Sequence, residues 1–494
     1  MSGNVLQTNL VSDLPGVAAV TDPNLVNPWG ISESATSPFW IADNNSGLST
    51  LYSSVPGANP PSVSISPLVV NIPTPVSSTG GTPTGTVFNL GLGSGAFQIT
   101  GPNKAGQTTS VPAVFLFATE DGTIVGWNPG IDPTGKFDGP NGVSTEAVIA
   151  KDNSGNNFTN PDPNQQTGAV YKGLAIATSS TAIVPSDPNS TSLLYVSNFR
   201  AGTIEVYDAK FDKVTTLPAD AFTDPKLPAG YAPFNVQVLN DKVYVTYALQ
   251  DDAKHDDVAG RGHGFVDVFN LDGTPGLPGG KERLISRGPL DSPWGLAIAP
   301  TGFAGLSARN NDPVLLVGNF GNGFINAFDA TTGSFLGQLK DPDGEPIHID
   351  GLWALKVGNG GAGGAADTVY FTAGLFGESH GLFGALTTAA PGSPEGTAEA
   401  QVVQADLDVV QLNLTAVQND LSSGASAATL RQDIRTLDAS LAQLVRDEVH
   451  FARDTFSDLF PRQNGGGNSH SGHGSDLDAV DNLFGLLGRF RHLS

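Results

Sequence analysis

A short phrase that recurs along the chain constrains its fold more than any other feature. Pro28-Trp29-Gly30 begins one apolar run, and Pro293-Trp294-Gly295 begins another. Each run is followed by a second apolar segment and then by a third in which apolar and polar residues alternate. Four looser copies keep the same order, and they start at Pro83, Tyr171, Pro233 and Gly351. Such segments, repeated about every 55 to 90 residues, indicate sheets arranged as the blades of a propeller.

Each copy is predicted to contain an inner, a second and a third strand. The high content of Gly (61) and Pro (35) fits many short strands joined by turns. Fourth strands are predicted at residues 64–72, 146–150, 214–217, 283–286 and 335–339. The sixth copy has none, and residues 5–11 form a spare strand. We expect this strand to pair with the sixth blade, because an open blade would leave an unpaired edge.

These observations predict an all-β fold: a six-bladed β-propeller closed by an N-terminal strand, with a C-terminal α-helical hairpin appendage. A pair of β-sandwiches and a β-helix are the alternatives, and the near-continuous apolar inner strands favour the propeller. The predicted domains are the propeller at residues 1–390, the helical hairpin at 395–460, a Gly/Ser/His-rich linker at 461–475 and a short amphipathic helix at 476–494.

The hairpin is predicted from apolar residues spaced by three and four, first between Leu407 and Leu421 and again between Leu430 and Phe451. Two helices alone bury such a seam poorly. We therefore expect them to contact a second copy of the chain or a cell-surface partner, or else to dock on the propeller. The sequence leaves these alternatives open.

Composition excludes several classes of function. Asp and Glu number 48 against 24 Lys and Arg, for a net charge of −24, and a chain this acidic repels nucleic acid. The absence of cysteine excludes disulfides and thiolate chemistry. No apolar run is long enough to span a membrane, and residues 1–10 lack the pattern of a signal peptide. The lack of Cys and the single Met are typical of exported bacterial proteins, so we expect an extracellular or cell-surface location.

Several longer phrases carry a resemblance to known propellers. They are residues 9–13 (NLVSD), 22–30 (DPNLVNPWG), 255–260 (HDDVAG), 264–269 (GFVDVF) and 370–374 (YFTAG). From about Leu10 to Leu386 the chain resembles the NHL-type and SMP-30-like six-bladed propellers, and more closely an uncharacterised family of exported bacterial propellers. Some members of that family carry a PEP-CTERM sorting tail, which this chain lacks. The resemblance implies the fold and no assigned activity.

The predicted ligand site is one mouth of the central channel. Antiparallel pairing places the start of each inner strand beside the end of its neighbour, so aromatic and polar residues should converge there. The residues predicted to bind a ligand are Trp29, Asn44, Tyr171, Phe234, Trp294 and Trp353. Glu120, Asn198 and Asn319 offer oxygen ligands that suit Ca²⁺. The alternative is that these polar groups hydrogen-bond their own turns.

A second predicted Ca²⁺ site is the acidic loop between the second and third strands of the fourth copy. Its carboxylates belong to Asp251, Asp252, Asp256 and Asp257. With His255 they would repel one another unless they were solvated or bound to a cation. SMP-30-like lactonases also place Glu, Asn and Asp around a channel cation, but that motif does not transfer residue by residue. Glu378 and His380 form a further pair, for acid–base chemistry or for a structural turn.

Two functions remain open at this level. The first is a non-enzymatic extracellular binding or assembly protein that uses a rigid propeller surface and a helical tether. The second is a metal-dependent lactonase or other hydrolase at the channel mouth. The sequence contains no complete catalytic set, which favours the first.

Overall fold

The computed structural model describes residues 4–55 and 57–389, together with Val417, Gln418 and Leu437. Within these residues, six sheets are arranged as the blades of a β-propeller, as predicted, and their strands pair antiparallel except at the outer edge of blade six. Each inner strand contacts the inner strands of the blades before and after it, and the sixth contacts the first. The apolar side chains of neighbouring sheets pack between the blades to form the core.

The strands of each blade follow one another from the channel outwards. In this order, blade one contains Pro28–Ser32, Phe39–Asp43, Leu48–Ser54 and Val63–Ile65, and Val70–Asn71 also pairs with its third strand. Blade two contains Pro83–Phe88, Phe115–Thr119, Thr123–Trp127 and Val148–Asp152. Blade three contains Tyr171–Thr178, Ser192–Asn198 and Thr203–Tyr207.

Blade four contains Tyr231–Leu239, Lys242–Leu249, Phe265–Phe269 and Arg283–Ser286. Blade five contains Pro293–Ile298, Val314–Asn319, Ile325–Asp329 and Phe335–Gln338. Blade six contains Leu352–Val357, Val369–Ala373, Leu382–Thr388, Val5–Ser12 and Val20–Thr21. Small hairpins pair Pro73–Thr74 with Ser77–Gly80 and Gln98–Pro102 with Thr108–Pro112.

The described helices are short. Helical turns occur at Leu92–Ser94, Pro140–Gly142, Pro163–Gln165, Phe303–Gly305, Arg309–Asn311 and Leu375–Glu378. The predicted hairpin, linker and terminal helix over residues 395–494 lie outside the described residues, apart from Val417, Gln418 and Leu437, and they stay predictions.

The N-terminal strand closes the ring, which confirms the expectation from the sequence. Val5–Ser12 pairs antiparallel with Leu382–Thr388, and a register shift separates Asn9 from Val11. The Ser12 hydroxyl donates to the Gly381 carbonyl at 2.7 Å. Residues from opposite ends of the propeller therefore complete one sheet, so the edge of blade six is covered.

Two of the predicted fourth strands differ in the structure: residues 64–72 contain two separate strands, Val63–Ile65 and Val70–Asn71, instead of one, and the strand predicted in blade three does not form. Residues 214–217 do not form a fourth strand of blade three, because the chain makes only an isolated bridge between Tyr207 and Lys213 and a hydrogen bond from Val214 N to the Val206 carbonyl. The predicted fourth strand of blade four is confirmed at Arg283–Ser286, and that of blade five at Phe335–Gln338.

The inner strands approach one another so closely that several positions require glycine. A Cβ atom built on Gly85 would lie 2.2 Å from the backbone nitrogen of Leu174 in the next blade. A Cβ atom on Gly30 would lie 2.5 Å from the Thr84 carbonyl oxygen. These neighbours are backbone atoms of adjacent inner strands, so they cannot move aside without opening the ring.

We expect Gly85→Ala to lower the free energy of unfolding by about 2 kcal/mol, because it overpacks the contact between two inner strands. Gly93→Ala is the matched control, since a Cβ atom there meets nothing within 4 Å and should change stability by less than about 0.5 kcal/mol. Denaturant unfolding followed by circular dichroism measures both. Equal stability of the two variants would contradict the close approach.

Candidate functional site at the channel mouth

The mouth is built from two rings of equivalent residues. Each inner strand has a register shift against its partner, and the shift begins directly after Pro28, Pro83, Tyr171, Pro233, Pro293 and Leu352. The residues that follow these six positions are Trp29, Thr84, Lys172, Phe234, Trp294 and Trp353. The second ring comes from the second strand of each blade. Its members directly follow the residues that pair with the six inner-strand positions, and they are Asn44, Glu120, Phe199, Ala248, Phe320 and Gly374. The local chain geometry repeats; for example, Asn44 N donates to the Asn27 carbonyl and Glu120 N to the Thr82 carbonyl.

Aromatic rings form a continuous layer across the channel. The rings of Trp29 and Trp353 are stacked with centroids 3.5 Å apart, and Phe320 stacks on Trp353 at 3.9 Å. Trp294 lies edge-on to Trp29 at 6.1 Å, and Phe234 lies 5.9 Å from Trp353. All three tryptophans are buried. This layer gives the mouth an apolar floor.

A buried lysine lies against this floor. The Lys172 side chain is 2% exposed, and its ammonium contacts a Glu120 carboxylate oxygen and lies 3.1 Å from Asp256 Oδ1. The same nitrogen lies 5.1 Å from the centroid of the Trp29 ring and 5.9 Å from that of Phe199. Carboxylates on one side and aromatic faces on the other both stabilise a positive charge, which allows this lysine to be buried.

Amide side chains hold the surrounding carboxylates in place. Asn44 Nδ2 donates to Glu120 Oε2 at 2.9 Å. Asn27 is fully buried, and its Nδ2 donates to Glu378 Oε2 at 2.8 Å. The indole nitrogen of Trp353 donates to Asn27 Oδ1 at 3.0 Å. Because an indole N–H is only a donor, this bond fixes the orientation of the Asn27 amide and so the position of Glu378.

Burial and neighbouring charges shift the pKa values of the mouth in different directions. Burial alone would lower the pKa of Lys172, but Glu120 and Asp256 outweigh it and raise the pKa above its ordinary value. Partial burial would raise the pKa of Asp256, yet the hydrogen bond with His255 and the charge of Lys172 hold it below its usual range. Burial raises the pKa of Glu378 to about 7, and the negative charge of Glu120 adds to the shift.

The acidic loop reaches over the mouth from blade four. Asp251 Oδ1 accepts hydrogen bonds from the backbone nitrogens of His255 and Asp256, so it stabilises the turn. His255 Nδ1 lies 2.8 Å from Asp256 Oδ1. Asp252 is exposed, whereas Asp257 is partly buried and burial raises its pKa. Of the four carboxylates predicted to bind Ca²⁺, the structure brings Asp256 into direct contact with Lys172.

Three predicted site residues lie elsewhere. The Tyr171 hydroxyl donates to Glu205 Oε2 at 2.7 Å, and Lys172 occupies the mouth position of blade three. Asn198 Oδ1 accepts a hydrogen bond from Ala201 N. This is the alternative given above, in which the polar group bonds to its own turn. Asn319 Nδ2 donates to the Pro289 carbonyl and to Asn322.

Glu378 and His380, which were predicted as a pair, contact different residues. His380 Nδ1 lies 2.6 Å from Asp13 Oδ2, next to the N-terminal strand, whereas Glu378 faces Asn27 at the mouth. The two side chains therefore have different partners. Phe376, Gly377 and Glu378 all have positive φ, with values of 54°, 63° and 69°, so a strained turn brings Glu378 to its position.

Lys172 was not predicted at the mouth, although the sequence contains a signal for it. Lys172-Gly173 repeats the pattern of Trp29-Gly30, Thr84-Gly85 and Trp294-Gly295, in which a channel residue precedes the glycine of the close approach. Aligning the third copy on this glycine places Lys172 at the mouth. The other inner-strand residues predicted there, Trp29, Phe234, Trp294 and Trp353, form the aromatic floor.

Among the described residues, one group at the mouth has the donor atoms of a metal site. Ligand atoms of Glu120, His255 and Asp256 lie within 4.8 Å of one another. The Lys172 ammonium already contacts both of the carboxylates. A divalent ion between them would meet this positive charge at close range, so the donor set fits a metal poorly while Lys172 is charged.

Within the described residues, no helix has the length and apolar character needed to cross a bilayer.

Comparison with known proteins gives relatives of unknown function. The chain is 30% identical over 352 residues to the uncharacterised protein R648 of Acanthamoeba polyphaga mimivirus, covering 70% of this chain and 72% of that protein. It is also 30% identical over 350 residues to the uncharacterised protein L690 of the same virus, covering 70% and 77%. These relatives are viral and give no support for the bacterial origin or the sorting tail that the resemblance implied.

A solved structure that matches the chain has a low similarity score. A streptogramin B lyase structure matches 78% of this chain and 97% of its own, with a TM-score of 0.35 and 12% identity. No protein-family model matches the chain. The identity to the two viral proteins extends over most of their length, and the chain therefore belongs to the same family as mimivirus R648 and L690.

Proposed function

We propose that this protein is a non-enzymatic binding protein whose channel mouth takes a small cationic ligand. The observation that carries the proposal is the Lys172 ammonium, which is buried and committed to Glu120 and Asp256. A lysine with a raised pKa is a poor nucleophile and a poor general base. Its role here is to hold two carboxylates in a fixed position.

The charge of the mouth favours a cation. Glu120, Asp256 and Glu378 surround one buried lysine, so the carboxylates outnumber the ammonium when all are ionised. The Asp256 side chain is 66% exposed and can meet a ligand from solution.

Binding should depend on pH through Glu378. Its folded-state pKa is about 7, so the carboxyl group is mostly neutral below pH 7 and negative above it. We therefore expect the affinity for a cation to rise about fivefold between pH 6 and pH 8, which corresponds to about 1 kcal/mol for a partly exposed ion pair. Titration calorimetry at low salt with choline and with diaminobutane measures the change.

The matched variant is Glu378→Gln, which keeps the size of the side chain and removes its charge. It should bind these probes with a weak affinity that no longer changes between pH 6 and pH 8. Failure of both probes to bind the native protein would overturn the proposal. So would a pH dependence that persists unchanged in Glu378→Gln.

A metal-dependent hydrolase is the second candidate, and it rests on the grouping of Glu120, His255 and Asp256. Elemental analysis of the purified native protein, followed by a lactone and phosphoester panel, tests it. A stoichiometric divalent ion, with activity lost in Glu120→Ala, would favour the hydrolase over the binding protein.

We also propose that the protein acts outside a cell. The support is compositional, namely the absence of cysteine and the single methionine. The assembly role assigned to residues 395–494 is a proposal of the same kind. It is tested by comparing the solution mass of the full chain with that of a chain ending at residue 394. A full chain and a shortened chain that are both monomeric would remove it.

A further inference from the structure

The turn that carries Glu378 to the mouth has a backbone that needs support from its surroundings. We call residues 374–381 the mouth turn. Within it, Phe376, Gly377 and Glu378 have φ values of 54°, 63° and 69°. Glycine adopts such values freely, whereas a residue with a Cβ atom loses free energy in this conformation. Strain of this kind persists only where neighbouring contacts hold the chain, so the contacts of the mouth turn decide where Glu378 lies.

One support of the mouth turn comes from the N-terminal segment. Asp13 directly follows the closing strand Val5–Ser12, and its side chain is 10% exposed. Its Oδ2 accepts a hydrogen bond from His380 Nδ1 at 2.6 Å, and its Oδ1 accepts one from Gly381 N at 2.8 Å. Because a carboxylate only accepts, the His380 ring is the donor. One side chain therefore holds two successive residues at the end of the mouth turn.

A second support comes from the segment that enters blade six. Asp350 lies two residues before the inner strand Leu352–Val357, and its Oδ2 accepts a hydrogen bond from Phe376 N at 2.9 Å. Next to it, Gly374 N donates to the Gly351 carbonyl at 2.9 Å. These bonds hold the start of the mouth turn, just as the N-terminal segment holds its end.

Blade one contacts Glu378 itself. Asn45 Nδ2 donates to the Glu378 backbone carbonyl at 2.6 Å, and Asn27 Nδ2 donates to its carboxylate at 2.8 Å. These two amides orient Glu378 once the mouth turn has formed. Asp13 and Asp350 act one step earlier, because their hydrogen bonds hold the turn on which Glu378 lies.

We infer that Asp13 and Asp350 are positioning residues for Glu378: they hold the mouth turn in its strained conformation and so keep the carboxylate at the channel mouth. Because Asp13 belongs to the N-terminal segment, the strand that closes the ring also completes the mouth. Ring closure and binding at the mouth are therefore coupled, and each stabilises the other. This inference rests on the proposed function, in which Glu378 contributes to the binding of a cation, and it names the residues that control that contribution.

The pKa of Glu378 reports the position of its side chain without any ligand. Burial raises that pKa to about 7, and among the charged neighbours Glu120 raises it, Lys172 lowers it and Asp256 raises it. A carboxyl group that left this site for water would regain a pKa near its ordinary value. NMR titration of the full chain, labelled with ¹³C at the glutamate carboxyl groups, measures the pKa. Glu378→Gln identifies the signal by its loss.

Asp13→Ala and Asp350→Ala each remove one support of the mouth turn. In both variants we expect the pKa of Glu378 to fall below about 6, and the affinity for choline at pH 8 to fall at least about threefold. The affinity should then change less than about twofold between pH 6 and pH 8, because the carboxyl group is ionised throughout. Asp350→Ala leaves the N-terminal segment unchanged, so it tests the inference even if Asp13→Ala does not fold.

Asn9→Ala is the matched control. It removes the hydrogen bond from Asn9 Nδ2 to the Val17 carbonyl, which lies within the N-terminal segment, and it should leave the pKa of Glu378 at its native value. The inference is overturned if Glu378 keeps its native pKa in the folded Asp13→Ala and Asp350→Ala variants, or if Asn9→Ala lowers it equally. Failure of choline and diaminobutane to bind the native protein would instead overturn the proposed function, and the ligand-free titration would still decide whether the two aspartates position Glu378.

Discussion

Replacing Lys172 with methionine is expected to lower the free energy of unfolding by about 3 kcal/mol, the lower end of the cost of breaking a buried ion pair. Methionine fills a similar volume but carries no charge. Glu120, whose side chain is 11% exposed, then loses its cationic partner in a site that water reaches poorly. Asp256 is 66% exposed and can be solvated instead, so its lost contact adds little.

Denaturant unfolding of Lys172→Met measures this loss of stability. Two further variants show whether the loss comes from the unpaired charge of Glu120. Adding Glu120→Gln to Lys172→Met should recover part of the loss, because it removes the unpaired charge. Lys213→Met breaks the pair with Glu205, in which the lysine is 55% exposed, and should cost less than about 1 kcal/mol. If Lys172→Met lost no more unfolding free energy than Lys213→Met, the ion pair between Lys172 and Glu120 would not be a buried pair that stabilises the mouth.

Removing residues 1–12 is expected to abolish the single cooperative unfolding transition of the propeller. Val5, Leu10 and Val11 are buried in the closing strand, and burial of each such side chain contributes about 1.5–3 kcal/mol. The loss is comparable with the whole stability of an ordinary domain, about 5–15 kcal/mol. It also exposes the edge of Leu382–Thr388, which can then pair with other chains.

Soluble yield, solution mass and thermal unfolding of the shortened chain measure this result. A synthetic peptide of residues 4–14 should restore the solution mass and the cooperative unfolding of the full chain when it is added in excess, because it supplies the missing strand. Gln7→Ala is the control for a change in the same strand that removes little buried apolar surface. A shortened chain that unfolds as the full chain does would show that closure contributes little.

The relation between the two ends of the chain was readable from the sequence. In the sequence, five of the six copies have a predicted fourth strand, and the sixth copy has none. Residues 5–11 form a predicted strand that belongs to no copy. An unpaired strand and an incomplete sheet satisfy each other's hydrogen bonds, so the ring closure followed from counting. The fourth strand of blade three was predicted wrongly, because a short apolar run does not show whether it will pair with the third strand of its blade.

The candidate site was predicted less completely. Antiparallel pairing predicts which inner-strand residues lie at the mouth, and it located the tryptophans of the aromatic floor. A register shift inserts one residue and so changes which residue of the strand faces the channel. Such a shift between Tyr171 and Gly173 places Lys172 at the mouth.

By itself, then, the sequence determined the propeller, its number of blades, the strand that closes it and the aromatic character of the channel, because hydrophobic periodicity and repetition are local properties that survive without coordinates. Only the tertiary structure decided that Glu120, Lys172 and Asp256 meet. These residues come from three blades far apart in the chain, and their encounter depends on register shifts and on the path of a loop. Long-range contacts of this kind arise from the packing of the blades around the axis, which no single repeat encodes.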